Sequence, residues 1–252
     1  MGALDERCAI VTGAGRGIGL GIARALGAAG ASVVIAEIDD DAGAEAARQL
    51  VTAGVDAHFQ RCDVGDPRSI TACVEATFTR TGRIDILVNN AVFDAPQTPF
   101  AEHDDALWDP LLAVGLRGTE RFMRACYPHL RVRGGRVINL GSAAGYQGMA
   151  GFAAYAAVKE GIRALTRVAA REWGAEGITV NVIAPFADSD GWRRFIDAEP
   201  EVAAQMLTDR PVPRVGDCEA DVGAAAVFLA SDAASYLTGA TLPLDGGGAF
   251  IG

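Results

Sequence analysis

The sequence predicts an α/β fold in which a doubly wound parallel sheet is flanked by helices on both faces. Three observations lead there. Short apolar runs rich in Val and Ile alternate with longer segments of helical period along the chain, as strands joined by right-handed crossover helices do. The first such run, "CAIVTG", passes straight into a glycine-rich stretch, "TGAGRGIG". Finally, 252 residues with 50% hydrophobic composition suffice for one sizeable core. No repeat, low-complexity tract or linker interrupts the chain, so a single domain over 1–252 is expected.

The elements follow in order. After the strand "CAIVTG", the stretch "GLGIARALGAAG" carries Leu20, Ile22, Ala23 and Leu26 at helical spacing and stops at Gly30. "SVVIAEI" is a second strand. "DDDAGAEAARQLVTAG" is a helix with acids in its first turn, where the macrodipole favours them. "DAHFQRCDV" reads as strand three, and Asp66-Pro67 as an N-cap and N1 proline opening a helix through Arg80. "IDILVNNA" is strand four, followed by a long helical region over about 104–131. "GRVINLGS" is strand five, 152–174 a helix and "ITVNVIAP" strand six. Residues 191–209 and 217–230 read as helical, and "TLPLDGG" closes with a short strand.

Composition removes several function classes. A net charge of −10 disfavours a nucleic-acid surface. No apolar run approaches the length of a membrane span, and the N-terminal "MGALDERCAIVTG" has early acids and no signal-peptide core, so a cytoplasmic protein is expected. The five cysteines are scattered without a C-x-x-C spacing, and His58, His103 and His129 stand far apart. Reduced, buried thiols and no metal are the expectation.

The glycine turn carries the first chemistry. Gly13, Gly17 and Gly19, with Arg16 and Ile18 between them, lie between strand one and the first helix. There glycines permit a tight turn and let backbone amides approach a pyrophosphate at a helix N-terminus, the phosphate site of a Rossmann-type sheet. Any tight strand–helix turn uses glycines, so a second signal is needed. Glu37, at the end of strand two, supplies it: such an acid accepts from adenosine ribose hydroxyls and repels a 2′-phosphate. A solvated strand-end charge is the competing reading. Arg16 pulls the other way, since a cation in this turn can meet the 2′-phosphate of NADP. Glu37 outweighs it, and NAD rather than NADP is expected.

Lys159 carries the second. Among 22 cationic Lys and Arg side chains it is the only lysine. It stands four residues after Tyr155 in "YAAVK", so both project from one helix face. A tyrosine with a pKa near ~10 is a poor acid–base catalyst at neutral pH, and a nearby ammonium lowers that pKa by stabilising the phenolate. Arginine brings the charge on a broad planar fork; a tight site can demand lysine. Ser142 lies thirteen residues before Tyr155, just after strand five. Its hydroxyl can donate to a substrate oxygen beside the tyrosine, or simply cap the turn.

With these pieces in place the chain resembles the short-chain dehydrogenase/reductase family over essentially its whole length. The matching motifs are "TGAGRGIG", "CDV" at Cys62–Val64, "NNA" at Asn89–Ala91, Ser142, "YAAVK" and "LDGGG". The resemblance implies hydride transfer between a nicotinamide cofactor and an alcohol or carbonyl. It makes Tyr155 the general acid/base, Ser142 the group orienting the substrate oxygen, and Lys159 the residue that tunes Tyr155 and holds the nicotinamide ribose. It places Asp63 and Val64 at the adenine and Asn89 near the adenosine ribose. It further implies a homo-oligomer, tetramer or dimer, with the Tyr155 helix at an interface.

Three positions depart from the family pattern: Gly115 where asparagine usually helps hold a proton-relay water, Val92 where glycine follows "NNA", and Phe186 in place of the glycine of Pro-Gly, with Ser189 or Asp190 where a threonine often follows near the nicotinamide. A helix-interior glycine costs roughly 1 kcal/mol against alanine, but it can sustain a kink that exposes a carbonyl to water. Because the departures cluster on the nicotinamide side, a second reading stands: an NAD-binding protein with weak or non-redox chemistry, or a cofactor-binding regulator. The retained Ser142, Tyr155 and Lys159 count against it. Phe93, Tyr146, Met149, Phe152, Phe186, Trp192 and Phe195 fall in segments expected around the reactive end or in plain core packing, so the expected substrate is an apolar secondary alcohol or ketone. Residues 186–212, bounded by proline breaks, are expected to form a lid.

Overall fold

The computed structural model describes residues 2–93 and 96–250; Met1, Asp94, Ala95, Ile251 and Gly252 of the expected 1–252 domain lie outside the described residues. The apolar runs become strands β1 Cys8–Thr12, β2 Ser32–Glu37, β3 Ala57–Arg61, β4 Ile86–Asn89, β5 Arg136–Leu140, β6 Thr179–Pro185 and β7 Thr241–Leu244. They form one parallel sheet in the order β3-β2-β1-β4-β5-β6-β7. The α-helices are α1 Gly17–Ala28, α2 Asp40–Thr52, α3 Pro67–Thr81, α4 Asp105–Pro110, α5 Gly118–Leu130, α6 Ala143–Gln147, α7 Ala153–Trp173, α8 Asp190–Ala198, α9 Pro200–Thr208 and α10 Ala224–Ala230.

Two apolar cores follow from strand alternation. Ala9, Val11, Val33 and Ile35 face one side with Ile22 and Leu26 of α1, while Cys8, Ile10, Val34 and Ala36 face the other with Phe122 of α5. The chain winds outward one way from β1 to β3 and the other way from β4 to β7. That reversal opens a crevice at the carboxyl ends of β1 and β4, where open α/β sheets bind ligands. Asp39 accepts from the Ala42 amide, and Asp66 from the Arg68 amide with Pro67 next, so both acid-led helix starts are capped as the sequence implies.

Three regions differ from the expected elements. The long helix over about 104–131 is interrupted by a π-helical turn at Leu111–Arg117. Pro110 lacks the N–H that would continue α4, and the Gly118 amide reaches the Ala113 carbonyl instead. The expected helix 191–209 is two helices, because Pro200 starts α9 and cannot extend the ladder of α8. A second π-helical turn, Cys218–Gly223, precedes α10. Among the described residues no helix is long and apolar enough to cross a membrane, and no cluster of His, Cys, Asp and Glu could hold a metal ion.

Candidate functional site

The glycine turn is built at the crevice. Gly13 adopts φ 61° and its amide donates to the Ala36 carbonyl at 2.8 Å, tying the turn to β2. A Cβ on Gly19 would collide with the Gly13 carbonyl and the Asn90 side chain, so turn and helix pack at a distance only glycine allows. Asn90 holds the arrangement from the far side of the crevice: its Nδ2 donates to the carbonyls of Thr12 (2.9 Å) and Gly13 (3.0 Å). The Thr12 hydroxyl accepts the amides of Asn90 and Ala91, both at 3.0 Å. Gly17, at φ 54°, has open space where a Cβ would stand. Arg16, the N-cap of α1, makes no side-chain cap, and the first turn of α1 contains no acid. A pinned, glycine-lined and uncapped helix N-terminus fits a pyrophosphate.

Glu37 is 8% exposed at the end of β2. Its Oε2 accepts the Gly15 amide at 3.1 Å, and its Oε1 accepts the amides of Ile38 (2.8 Å) and Asp39 (3.2 Å). The carboxylate is therefore oriented beside the turn by three backbone donors rather than left as a loose strand-end charge. Arg16 pairs with another acid: its Nε lies 3.5 Å from Asp190 Oδ2 at the start of α8. Asp63 accepts the Gly65 amide at 2.8 Å, and Val64 is buried beside it. Asn89 is turned into the core, its Nδ2 donating to Asn139 Oδ1 at 2.8 Å. Asn139, paired with it in register across β4 and β5, donates on to Thr166 Oγ1 of α7 at 2.9 Å. That buried polar chain fastens α7 to the sheet.

The end of β5 and the first turns of α7 assemble the other half. Ser142 caps α6, its Oγ accepting the Ala144 amide at 3.2 Å; that bond leaves its hydroxyl proton free for another acceptor. Lys159 is 4% exposed, and its Nζ donates to the Leu140 carbonyl at 2.8 Å while lying 5.4 Å from the Tyr155 ring centroid. Burial lowers its pKa from the ordinary 10.5 to about 8. The site thus brings Ser142, Tyr155 and Lys159 to the same end of β5. Gly115 faces α7 from the π-helical turn, where a Cβ would lie 2.6 Å from Val158 Cγ1. Its carbonyl accepts the Gly118 amide.

Sequence reasoning missed several participants. Asn90 is a turn-holder hidden inside the "NNA" motif. The Leu140 carbonyl carries no side-chain signal at all. Asp190 stands out in the sequence only as a replacement near the nicotinamide, not as the partner of Arg16, and Arg210 is distant in sequence from what it touches: its guanidinium lies 3.6 Å from the Phe186 ring centroid and donates to the Asp245 carbonyl at 2.7 Å. Phe186, Trp192 and Phe195 form an aromatic run, with centroids 4.6 and 5.6 Å apart. Trp192 is buried in it, whereas Phe93 and Met149 are exposed.

Sheet order and the glycine turn at the β1/β4 switch define the class: a Rossmann-type, dinucleotide-binding α/β protein. A family model described as enoyl-(acyl carrier protein) reductase matches residues 13–248, and the chain belongs to the short-chain dehydrogenase/reductase family. It is 38% identical over 257 residues to a 12α-hydroxysteroid dehydrogenase of Clostridium sp. (strain ATCC 29733 / VPI C48-50), covering 98% of each chain. It is 38% identical over 248 residues to the cis-4-hydroxycyclohexanecarboxylate dehydrogenase of Sinomonas cyclohexanicum, covering 97% of each. A crystal structure titled as a putative short-chain alcohol dehydrogenase from Sinorhizobium meliloti 1021 superposes with a TM-score of 0.92 at 37% identity, over 97% of this chain and 96% of that one. The protein is an oxidoreductase of CH–OH and C=O groups that uses a nicotinamide cofactor.

Proposed function

We propose that the protein interconverts an apolar secondary alcohol and its ketone with NAD(H), using Tyr155 as general acid/base. The observation that carries the chemistry is Lys159, a buried cation fixed on the Leu140 carbonyl 5.4 Å from the Tyr155 ring. In that position its charge favours the phenolate and brings the phenol toward neutral-pH proton transfer. Tyr155 moves the proton at the substrate oxygen: it takes it in alcohol oxidation and returns it in ketone reduction. Ser142 donates to the same oxygen and orients it. A bound nicotinamide dinucleotide supplies the hydride acceptor or donor. Gly13, Arg16, Gly17, Ile18 and Gly19 would hold its phosphates, Asp63 and Val64 its adenine, and Asn89 its adenosine ribose through the backbone, since the Asn89 side chain braces Asn139.

NAD is favoured because the Glu37 carboxylate is already oriented by the amides of Gly15, Ile38 and Asp39. A 2′-phosphate there meets a fixed like charge. The names of two relatives, a hydroxysteroid and a hydroxycyclohexanecarboxylate dehydrogenase, describe hydroxylated ring compounds, and the aromatic run Phe186–Trp192–Phe195 suits an apolar ring. Residues 186–212 act as a lid over that ring, latched by Arg210 on the Asp245 carbonyl. A homo-oligomer, tetramer or dimer, with the face of α7 at an interface is part of the same reading.

Fluorescence titration of NADH and NADPH, followed by cofactor absorbance with a panel of cyclic secondary alcohols and ketones, tests the reading. Tighter NADH binding and turnover that Tyr155→Phe abolishes are expected. Equal affinities would remove the role given to Glu37, and cofactor binding without turnover across the panel would favour a non-redox binding protein.

A further inference from the structure

Arg16 is the only cation in "TGAGRGIG", and one residue away the Gly15 amide grips Glu37 Oε2 at 3.1 Å. A free guanidinium there would offset the Glu37 charge and receive a 2′-phosphate. The structure gives that guanidinium another partner: Asp190 Oδ2, 3.5 Å from Arg16 Nε.

Asp190 is held where it can do this. It is the first residue of α8, whose N-cap Ser189 accepts the Trp192 amide at 3.2 Å, so its carboxylate sits in the first turn, where the macrodipole favours an anion. The preceding Asp188 donates its amide to the Gly216 carbonyl at 3.0 Å, and its own carbonyl accepts Cys218 Sγ at 3.3 Å. The Cys218–Gly223 turn packs against α1 so closely that a Cβ on Gly21 would collide with Cys218. Asp190 and Arg16, the N-cap of α1, are therefore carried on elements braced against each other.

We propose that Asp190 is a cofactor-specificity residue. By pairing with Arg16 it withdraws the turn's cation from the ribose 2′ position and leaves Glu37 to reject a 2′-phosphate unopposed. This rests on the reading of Glu37 given above. The pair is exposed, with side chains 67% and 44% accessible, so it is weak and its effect is a matter of a few-fold rather than orders of magnitude.

The experiment is calorimetric titration of 5′-AMP and 2′,5′-ADP into the wild type, Asp190→Asn, Arg16→Ala and the double variant. These probes carry only the adenosine side of the cofactor, so contacts between the nicotinamide side and 186–212 do not enter. Asp190→Asn should tighten 2′,5′-ADP by about three- to tenfold while 5′-AMP stays within about twofold. The gain should vanish in the double variant and shrink at high salt. An unchanged ratio of the two affinities in Asp190→Asn, or a gain that persists without Arg16, overturns the proposal. A wild type that prefers 2′,5′-ADP overturns the reading of Glu37 itself, a separate result visible before any variant is made.

Discussion

Replacing Lys159 by methionine should make the protein more stable and inactive at once. Lys159 is 4% exposed, and burial lowers its pKa from 10.5 to about 8. That depression means the folded state carries about 3 kcal/mol of penalty on the charged form. Methionine keeps the length of the side chain and removes the charge. It also removes the bond from Nζ to the Leu140 carbonyl, and an acceptor left without its donor returns about 1–2 kcal/mol of the gain. The net is about 1–2 kcal/mol of stabilisation at pH 6.5, or roughly 2–8 °C in Tm for a chain of this size. The pH dependence follows from proton binding. Below about 8 both folded and unfolded chains hold the proton and the wild type bears the full penalty. Between about 8 and 10.5 the unfolded chain binds more protons, so wild-type stability gains from this group as pH rises and the advantage of methionine closes. Thermal melts of both proteins at pH 6.5 and 9.5 read this directly, alongside kcat, which should fall by about 10²–10⁴. A variant less stable than wild type at pH 6.5, or a difference that ignores pH, would refute the argument that function holds a costly buried charge here.

Other outcomes follow from the same geometry. Lys159→Arg keeps the charge but not the shape, and should lower kcat/KM by about 100-fold or more and move its basic limb, because the guanidinium cannot occupy the slot beneath Tyr155. Full activity with an unchanged pH profile would make Lys159 an ordinary helix cation. Gly115→Asn drives a Cβ to 2.6 Å from Val158 Cγ1, and the β-branched Val158 has few rotamers with which to yield. It should cost about 1–3 kcal/mol in stability and reduce turnover, while Val158→Ala in the same chain recovers part of both; a stable, active single variant would show that α7 moves freely. Gly19→Ala, colliding with the Gly13 carbonyl and Asn90, should weaken NADH binding at least about tenfold in titration; unchanged affinity would mean the turn tolerates rearrangement.

How much of this was legible in the amino-acid order depends on the range of the interaction. The alternation of apolar runs and helical segments specifies parallel strands and crossovers, because each element must bury a face set by its own period. The glycine turn, Glu37, and the Tyr155–Lys159 pair are local too: φ above zero favours glycine, and residues four apart on a helix share a face. The breaks were less legible. Pro110 announces a disturbance, but whether a helix answers with an end or a widened turn depends on what packs beside it, here Val158 against Gly115.

The partners of the site side chains required the fold. Lys159 is singular in the sequence, yet its anchor is a backbone carbonyl of β5, a group every residue possesses. Asn89 and Asn90 are adjacent letters with opposite fates, one turned into the core toward Asn139 and the other onto the glycine turn, because successive side chains at a strand end point to opposite sides. Arg16 read alone is an open cation beside a phosphate site; folding brings Asp190 to it. Residue types and spacings determine which chemistry is possible, since they act through the local backbone. Which charges are neutralised and which carbonyl holds the lysine depend on the sheet order, which joins segments far apart along the chain.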